Sequence, residues 1–509
     1  MEQLHHRFIQ TAKQYSHKIA VMDKATGNDY KYDRLLIASL ILSNKLNKYK
    51  SKYLGIMLPT SAGCMLSIIG TLMAGKIPVM INYATGAIDN CFYAREKCRF
   101  KTIVTSRKLL EKLNLAPIDN MVMVEDILKS VKIWHKLKAA VLSKLPFAVL
   151  KGITNPGPDS ETSVILFTSG SEKEPKAVQL SHRNIGHNVD NIKNLVNVTP
   201  EDIFLGELPL FHIFGLTIDF WLPLLIGSSI VTYPNPLDYK EICNFVKEYQ
   251  ITIMAGTPSF FYGYLQRSDP GDFSSIRFAF AGADKLPKKI YDGFQNKHGI
   301  KVYEGYGATE TSPVISVNTP DHHKLGSIGK PIPNVKVKIV DIDTGVELGV
   351  GKEGKVLVKG DNVMVGYLDD LEETLLRIRD GWYDTGDIGM FDEDGFLWHK
   401  GRLKRFVKVG GEMVSLVKVE DILSRLLPED VICCVVDVPN VTKGADVVAA
   451  VANGNFDMHK VLKELKKELP SIAIPKQFYV IDNIPMMASG KVNFREVEKI
   501  CRELANEDK

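Results

Sequence analysis

Residues 163–178 read SVILFTSGSEKEPKAV, and this stretch is the best starting point for the fold. Its first half is a short apolar run typical of a buried strand, and its second half is a loop rich in hydroxyls. Hydroxyl and backbone N–H groups donate to phosphoryl oxygens, Gly170 permits close approach, and Lys176 supplies positive charge. The stretch therefore predicts a polyphosphate loop at the end of a strand and before a helix, SHRNIGHNV. The GxxxxGK[ST] spacing is absent, and a Ser-rich surface turn is the alternative.

Similar apolar runs lie on both sides of this loop, with helical patterns between them. The expected strands are YLGIML (53–58), IPVMIN (77–82), KTIVTS (101–106), MVMVED (121–126), ITIMAGT (251–257), FAFAGA (278–283) and KVYEGYG (301–307). Such alternation predicts βα units and largely parallel sheets. Ligands bind at the carboxyl ends of parallel strands, where the Gly-rich and Ser/Thr-rich segments of this chain fall.

The pattern changes towards the C-terminus. From residue 325 turn signals recur every few residues, which predicts antiparallel β-structure. After GRLKRF a second α/β pattern begins, with helices at 419–427 and 459–469 and strands at 431–438, 446–451 and 477–482. We therefore expect two domains, 1–401 and 402–509.

Composition narrows the class of protein. The chain has 509 residues, 45% hydrophobic and 24% charged, which is typical of a globular protein with more than one domain. Its net charge of +4 is too small to predict nucleic-acid binding. Seven irregularly spaced cysteines without a CxxC pair favour neither a disulfide framework nor a zinc site. A reducing compartment, the cytoplasm, is expected.

Two segments bear on membranes. The apolar run 212–233 contains Asp219, Pro223 and Gly227, which favours a buried helix and a following strand over a spanning segment. Residues 133–151 read IWHKLKAAVLSKLPFAVLK, the composition of an interfacial helix. An ordinary amphipathic surface helix is the alternative for that segment, so peripheral membrane contact stays open.

The phosphate loop resembles that of the adenylate-forming superfamily, which includes acyl-CoA synthetases, firefly luciferase and the adenylation domains of peptide synthetases. The family pattern is [S/T]SG[S/T]TGxPKG. This chain keeps Thr168, Ser169, Gly170, Ser171, Pro175 and Lys176, and departs from it at Glu172, Lys173 and Ala177. An acidic residue beside a triphosphate repels it, and Lys173 offsets that charge.

Further motifs follow in the family's order. Residues 304–310, EGYGATE, resemble the YGxTE motif. The resemblance implies that Tyr306 stacks on a purine, Thr309 bonds the α-phosphate and Glu310 holds Mg²⁺. It assigns the remaining nucleotide contacts to Gly282, Ala283, Glu304 and Gly305, and a metal contact to Thr168. His212, in PLFHIFG, matches a segment that lines the carboxylate pocket, and a core histidine is the alternative.

The last motifs lie beyond residue 380. WYDTGD (382–387) resembles the [W/F]xxTGD motif, in which Asp387 accepts hydrogen bonds from ribose hydroxyls. In GRLKRFVK (401–408), Arg402 is implied to reach the ribose or phosphate and Lys404 occupies the hinge position. Lys491, in the segment that resembles PxTxSGK, is implied to neutralise charge as the carboxylate attacks. Residues assigned to the acceptor side are Lys408, Gly410 and Gly411.

The resemblance covers nearly the whole chain and implies fold and activity together. The expected fold is α/β: a large N-terminal domain of two βαβ-layered subdomains plus a small β-barrel, and a small mobile C-terminal α/β domain. The expected activity is ATP- and Mg²⁺-dependent formation of an acyl-adenylate from a fatty acid, followed by transfer to a thiol. Catalytic roles fall to Lys491, Thr309, Glu310 and His212.

The acceptor is inferred from three segments. GRLKRFVKVGGEMVSL, YGATETSPVISVN and GWYDTGDIG look most like the acyl-acyl carrier protein synthetase part of bacterial phospholipid-recycling enzymes. This implies the phosphopantetheine thiol of acyl carrier protein, and basic residues from Lys400 to Lys408 complement an acidic carrier. A fatty acyl-CoA synthetase is the first alternative. A catalytically silent acyl- or nucleotide-binding protein is an alternative of another class, and a scaffold protein a third.

Overall fold

A computed structural model describes residues 1–168, 175–409, 412–428, 431–440, 444–452, 456–486 and 492–507. The chain divides into two compact units. The first comprises Met1–Lys336 and Val358–Tyr383, and the second Val337–Leu357 and Asp384–Lys509. Six of the expected site residues lie outside the described residues: Ser169, Gly170, Ser171, Gly410, Gly411 and Lys491.

Helices are distributed along both units. They are α1 (Leu4–Gln14), α2 (Tyr32–Leu46), α3 (Ala62–Met73), α4 (Ala87–Lys97), α5 (Arg107–Lys112), α6 (Val124–Lys129), α7 (Ile133–Lys144), α8 (Phe147–Ile153), α9 (His182–Leu195), α10 (Leu222–Ile226), α11 (Tyr239–Glu248), α12 (Pro258–Arg267), α13 (Lys288–His298), α14 (Leu371–Arg377), α15 (Leu416–Leu426), α16 (Met458–Glu468) and α17 (Phe494–Glu507). A π-helix spans Gly215–Trp221, and 3₁₀ turns span Thr309–Thr311 and Leu403–Arg405.

Strands alternate with these helices through most of the first unit and continue through the second. They are β1 (Ile19–Asp23), β2 (Asn28–Lys31), β3 (Tyr53–Ile56), β4 (Ile77–Met80), β5 (Ile103–Thr105), β6 (Met121–Met123), β7 (Thr162–Phe167), β8 (Ala177–Ser181), β9 (Ile203–Gly206), β10 (Ser229–Thr232), β11 (Ile253–Gly256), β12 (Phe278–Ala281), β13 (Val302–Gly307), β14 (Val314–Val317), β15 (Lys330–Pro331), β16 (Lys336–Val340), β17 (Gly354–Lys359), β18 (Gly366–Tyr367), β19 (Ile378–Arg379), β20 (Trp382–Phe391), β21 (Leu397–Arg402), β22 (Phe406–Val409), β23 (Glu412–Ser415), β24 (Ile432–Asn440), β25 (Gly444–Ala452) and β26 (Phe478–Ile481).

Two large sheets form the first unit. One has the order β15-β14-β13-β12-β11-β9-β10-β1-β2, and the other β18-β8-β7-β4-β3-β5-β6. The central strands pair in parallel, for example β12 with β13 and β3 with β4. Strands such as IPVM in β4 are buried along their whole length, as expected for a sheet covered on both faces. The α/β architecture predicted from the sequence, with a large N-terminal and a small C-terminal part, is confirmed.

The strands of the first unit are shorter than the predicted runs, and two of the differences concern the neighbouring helices. The run MVMVED ends as a strand at Met123, and the helix α6 follows at once. The phosphate loop is followed by the strand β8 before α9 begins at His182. The period-2 pattern of AVQLS is too short to be separated from the helical pattern that follows it.

The second unit contains three smaller β-structures. The strands β16, β17, β20 and β21 form an antiparallel region, β22 and β23 form a hairpin, and β24, β25 and β26 form a sheet. Helices α15 and α16 contribute Val419, Leu423 and Leu465 to an apolar cluster with β24 and β25. The domain boundary expected at residue 402 stays a prediction, because the compact second unit also takes in residues 337–357 and 384–401.

All seven cysteines are buried free thiols, as expected for a chain without a disulfide framework. Across the part of the chain that the structure describes, no helix is both long and apolar enough to cross a membrane. The run 212–233 instead divides into the π-helix, α10 and β10, with its members buried apart from His212, Phe214 and Tyr233.

A largely buried ion pair supports the second unit. Arg405 Nη2 donates to Glu420 Oε2 at 2.8 Å, and Arg405 Nη1 donates to the carbonyl of Val435 at 2.8 Å. The Val435 N–H also donates to Glu420 Oε2 at 2.8 Å. Burial raises the pKa of Glu420, although the charge of Arg405 opposes that rise. The guanidinium additionally covers the ring of Phe494 at 4.0 Å.

Replacing Arg405 should therefore destabilise the second unit. In Arg405→Ala the Glu420 carboxylate loses its cation, and we expect a loss of about 3 kcal/mol in local opening free energy. Hydrogen exchange on peptides from residues 416–452 measures it. The matched control is Arg425→Ala, because its pair with Glu468 is exposed, and it should cost no more than about 1 kcal/mol. Equal protection in both variants would contradict the structural role of Arg405.

Candidate active site

The two ends of the phosphate loop are hydrogen-bonded to each other. Thr168 N–H donates to the Lys176 carbonyl at 3.0 Å, and Lys176 N–H donates to Thr168 Oγ1 at 3.0 Å. Phe167 pairs with Ala177 in the antiparallel register of β7 and β8, so the loop is a hairpin connection. The helix expected after the loop is α9, and the strand β8 lies between the two. The N-terminus of α9 is capped locally by Ser181, whose side chain accepts from the Asn184 N–H.

The Lys176 ammonium lies beside charged residues of α14 that belong to none of the motifs. It forms an ion pair with Glu373 in the first turn of α14. Glu373 Oε1 also accepts from Arg377 Nε at 2.9 Å, one helical turn later. Burial opposes ionisation of Glu373, but the hydrogen bonds from Lys176 and Arg377 outweigh it and lower the pKa of that carboxyl. Lys176 therefore already faces a carboxylate where the sequence predicted phosphate.

Glu310 is held by a tyrosine from another part of the chain. The Tyr367 hydroxyl donates to Glu310 Oε1 at 2.8 Å, and the Met364 N–H donates to the Glu310 carbonyl at 2.8 Å. Burial, followed by the charge of Glu310, raises the pKa of Tyr367 far above its ordinary value, so the phenol remains a donor. The Lys176 Nζ lies 5.2 Å from the centre of the Tyr367 ring. Lys176 and Glu310 are 134 positions apart in sequence. Both lie beside Tyr367, Glu310 at its hydroxyl and Lys176 at its ring.

Tyr367 is positioned by the sheet and by α14. Its strand β18 pairs with β8, with Tyr367 opposite Val178, and its N–H donates to Thr374 Oγ1 at 2.9 Å. Sequence reasoning missed Tyr367, Glu373 and Arg377. The available signal was a Gly-Tyr pair just before Asp370, whose side chain caps α14.

The turn after β13 places Thr309 and Glu310. A Cβ at position 307 would lie 2.0 Å from the Pro313 carbonyl oxygen, so only glycine fits where the chain folds back. Thr309 and Tyr306 are half-buried, and Tyr306 pairs with Ser316 next to a register shift. The EGYGATE segment is therefore a strand end with a tight turn, as expected of a ligand-binding edge.

The expected adenine-side segment lies at the end of the neighbouring strand β12. Gly282 N–H donates to the Gly256 carbonyl at 3.0 Å, and Ala283 has a left-handed φ of 72°. A Cβ on Gly282 would lie 3.2 Å from the Phe214 ring, so a glycine is needed for this approach. Glu304 Oε1 accepts from the Leu286 N–H at 3.1 Å, which ties the loop after β12 to β13.

His212 is half-buried and precedes the π-helix Gly215–Trp221. Its N–H donates to the Pro209 carbonyl at 3.0 Å, and its ring lies 4.6 Å from that of Phe211. A wide π-turn often marks a functional site. The geometry leaves both interpretations of His212 open, and its role in the carboxylate pocket stays a prediction.

Two buried carboxyls flank this segment and were not singled out from the sequence. Tyr264 Oη donates to Glu207 Oε1 at 2.8 Å, and the Leu208 N–H donates to Asp219 Oδ2 at 3.1 Å. Burial raises the pKa of both carboxyls, and the Glu207 charge raises that of Asp219 further.

In the second unit, Asp387 and Arg402 lie directly opposite each other on β20 and β21. Arg402 Nε is 3.5 Å from Asp387 Oδ1, and His399 Nε2 is 3.6 Å from the same oxygen. Asp387 is buried, whereas Arg402 is exposed. The structure therefore brings together the two residues that the sequence assigned to the ribose, and adds His399.

The basic residues of segment 400–408 are less available to bind another molecule than the sequence suggests, because three of them have acidic partners in their own unit. Lys400 Nζ is 3.2 Å from Glu353 Oε1, Arg402 faces Asp387, and Arg405 is in the interior pair described above. Lys408 is exposed, and Lys404 lies in the middle of the 3₁₀ turn between β21 and β22. The expectation of a continuous basic surface for an acidic partner was therefore wrong for Arg405, which is structural.

The residues present fit Mg²⁺ bound through a nucleotide. Within the described ranges, no three His, Cys, Asp or Glu side chains are grouped so that they could hold a metal ion. Mg²⁺ in phosphate sites usually takes one or two carboxylates and completes its shell with phosphate oxygens and water. Glu310, held from one side by Tyr367, provides such a carboxylate.

Comparisons with known proteins agree with these motifs. The family described as AMP-binding enzyme matches residues 8–368, and the AMP-binding enzyme C-terminal domain matches residues 418–491. The long-chain-fatty-acid–CoA ligase of Bacillus subtilis strain 168 is 28% identical over 92% of this chain and 89% of its own length. The enzyme of the same name from Yersinia pestis is 27% identical over 90% of this chain and 86% of its own.

A solved structure shows the same fold. ATP-bound MatB from Rhodopseudomonas palustris superposes with a TM-score of 0.85 at 24% identity, and the match covers 99% of this chain and all of that one. Its similarity extends over both units of the chain. On the matched family regions and the motifs above, the chain belongs to the AMP-binding enzymes of the adenylate-forming superfamily.

Proposed function

We propose that this chain activates a long-chain fatty acid with ATP and Mg²⁺ and transfers the acyl group to a thiol. In the first step a carboxylate oxygen attacks the α-phosphorus, and the bond to pyrophosphate breaks. In the second step the thiol sulfur attacks the acyl carbonyl carbon, AMP leaves, and the thiol proton passes to solvent. The observation that carries the proposal is the convergence of Lys176 and Glu310 on Tyr367.

This arrangement supplies charge of both signs at one edge of the sheets. Lys176 would bind phosphoryl oxygens after exchanging its ion pair with Glu373 for them. Glu310, oriented by Tyr367, would hold Mg²⁺, which supplies neutralisation of phosphate charge when bound. Thr168 would contribute its hydroxyl oxygen beside that charge, and Thr309 would bond the α-phosphate.

The remaining motif residues retain the roles that the resemblance implies. Asp387 would accept hydrogen bonds from ribose hydroxyls. Arg402 and His399 would orient this carboxylate through its Oδ1. Tyr306 would stack on the purine beside Gly282, Ala283, Glu304 and Gly305. Lys404 remains the proposed hinge, and Lys491 the proposed catalytic lysine for the first step.

Two relatives support a long-chain fatty acid and CoA as substrates, because both are named long-chain-fatty-acid–CoA ligases. We therefore take CoA as the acceptor. Holo-acyl carrier protein is the second candidate, favoured by the resemblance of GRLKRFVKVGGEMVSL to carrier-protein synthetases. The charge argument for a carrier is weaker than the sequence suggests, because Lys400, Arg402 and Arg405 have acidic partners in their own unit.

A catalytically silent binding protein of this fold is the alternative of another class. It would require the ionic groups of the site to be dispensable. Their convergence from separate segments into one hydrogen-bonded arrangement supports an active enzyme, because Glu310 and Tyr367 are buried polar groups that bond each other. ATP–pyrophosphate exchange with a fatty acid separates the two classes.

Glu310→Gln should abolish most of this exchange. The amide oxygen still accepts from Tyr367, so the fold should be kept, but a neutral amide does not replace a carboxylate on Mg²⁺. We expect a loss of about 100-fold or more in kcat. Pyrophosphate exchange with palmitate measures it, and an unchanged Tm serves as the control. Full exchange in the variant would place the metal at another residue.

Glu373→Ala should lower the KM for ATP. Glu373 competes with phosphate for the Lys176 ammonium, and the ion pair lies half-buried. We expect a decrease of about threefold to tenfold, the size that one such pair can contribute. The matched control is Glu372→Ala, on the exposed side of the same helix. A higher KM in Glu373→Ala alone would mean that Glu373 positions the lysine instead of competing for it.

A competition experiment decides the acceptor. CoA and holo-acyl carrier protein are supplied at equal thiol concentration with ATP, Mg²⁺ and palmitate, and the two thioesters are quantified by mass spectrometry. We expect acyl-CoA to be the main product. The ratio of the two thioesters should stay the same whatever the rate of ATP–pyrophosphate exchange. Predominant acyl-carrier protein would reverse the assignment and leave the first half-reaction unaffected.

A further inference from the structure

Part of the solvent side of α7 is apolar. Its exposed apolar residues are Ile133 at 69%, Trp134 at 54%, Leu137 at 60% and Val141 at 67% of their full accessibility. Together these four residues are called the α7 apolar face. Their spacing of one, three and four positions places them within about 100° of arc on a helix of 3.6 residues per turn.

The opposite side of the helix is the one that packs on the protein. Ala139 and Ser143 are buried, and α7 lies against α2. Lys13 Nζ donates to the carbonyls of Ser143 at 3.1 Å and Leu145 at 2.8 Å, which fixes the end of the helix. A surface helix normally presents its polar side to water. Here large apolar side chains face water beside exposed lysines, so the packing of α7 on α2 does not account for the α7 apolar face.

The segments next to α7 in sequence also expose apolar side chains, namely Leu128 at the end of α6 and Val149 and Ile153 in α8. Isolated exposed apolar residues are common, but four on one side of a single helix form a patch of the kind that marks an interaction site. Trp134 stacks on His135 with ring centroids 3.5 Å apart, which holds the indole at the surface.

The charged residues of this segment have one sign. Between Leu128 and Ile153 the chain carries six lysines and no acidic residue. Five of these lysines are exposed: Lys129, Lys132, Lys136, Lys138 and Lys144. Exposed Lys and Trp around aliphatic side chains match an anionic bilayer surface, where lysine ammoniums meet phosphates and the apolar groups enter the acyl region.

We propose that the α7 apolar face and its lysines bind the surface of an anionic phospholipid bilayer. The helix lies parallel to the membrane plane and does not cross it. The partner is a lipid surface and not a protein, because exposed aliphatic side chains and a tryptophan on one helix accompany five exposed lysines, the combination that suits an anionic interface. The proposal depends on exposure and charge alone and stands whether or not a fatty acid is the substrate.

Vesicle co-sedimentation of the full chain, without nucleotide or substrate, tests the apolar contribution. Wild type should partition onto vesicles with 30% phosphatidylglycerol in phosphatidylcholine, and weakly onto phosphatidylcholine alone. Leu137→Ser with Val141→Ser should lower the partition coefficient at least about tenfold, since each side chain leaves an apolar phase. The matched control is Val346→Ser with Val350→Ser, because both valines are equally exposed elsewhere. A blue shift of Trp134 emission, absent in Trp134→Phe, should accompany binding.

Charge is tested separately. Replacing Lys132, Lys136 and Lys138 by Gln should weaken binding on the order of 100-fold, at about fivefold for each lysine near the membrane surface. The control replaces Lys460, Lys463 and Lys466, which are exposed on α16. Failure of wild type to bind anionic vesicles at low salt would overturn the proposal. So would binding that the serine variant retains, or a dimer in sedimentation velocity that the serine variant abolishes.

Discussion

The hydrogen bond from Tyr367 to Glu310 is the interaction on which the candidate site depends. It joins the turn after β13 to β18, which is paired with β8 at the end of the phosphate loop. The same ring lies beside the Lys176 ammonium. A buried phenol that cannot ionise is a suitable link, because it donates to the carboxylate and leaves the lysine charge unaltered. Loss of this link would separate the anion-binding from the cation-binding side of the site.

Lys176 is surrounded by groups that balance its charge before any nucleotide binds. Glu373 neutralises it, and Arg377 holds Glu373 in turn. Removing a buried or half-buried cation from its partner is costly unless a new anion replaces it. Phosphate binding at Lys176, as proposed, would then exchange one anion for another. Such an exchange would favour a polyphosphate over weaker anions, because a multiply charged ligand compensates best for the lost pair.

The basic segment near residue 402 shows that a run of basic residues in sequence need not form a basic surface. In sequence, Lys400, Arg402 and Arg405 resemble one docking surface. In the structure each has a separate acidic partner, and Arg405 is part of the interior of the second unit. Positive charge instead lies along α7 and the residue before it, where Lys132, Lys136, Lys138 and Lys144 have no acidic residue between them in sequence and accompany exposed apolar side chains. The surface suited to an anionic partner is therefore there.

The sequence by itself determined the family and the α/β class, and it supplied most of the candidate site residues as predictions. Motifs work because close backbone approach demands particular residues locally, as Gly307 shows, and strand ends are visible as apolar runs. The tertiary structure alone decided which residues meet. Glu373 and His399 carry no local signal and Tyr367 only a Gly-Tyr pair before a helix cap, since ordinary glutamates, histidines and tyrosines gain a role only when the fold brings them beside Lys176, Asp387 and Glu310. The exposed side of α7 was likewise undetermined, because its apolar period is the same whichever side faces water.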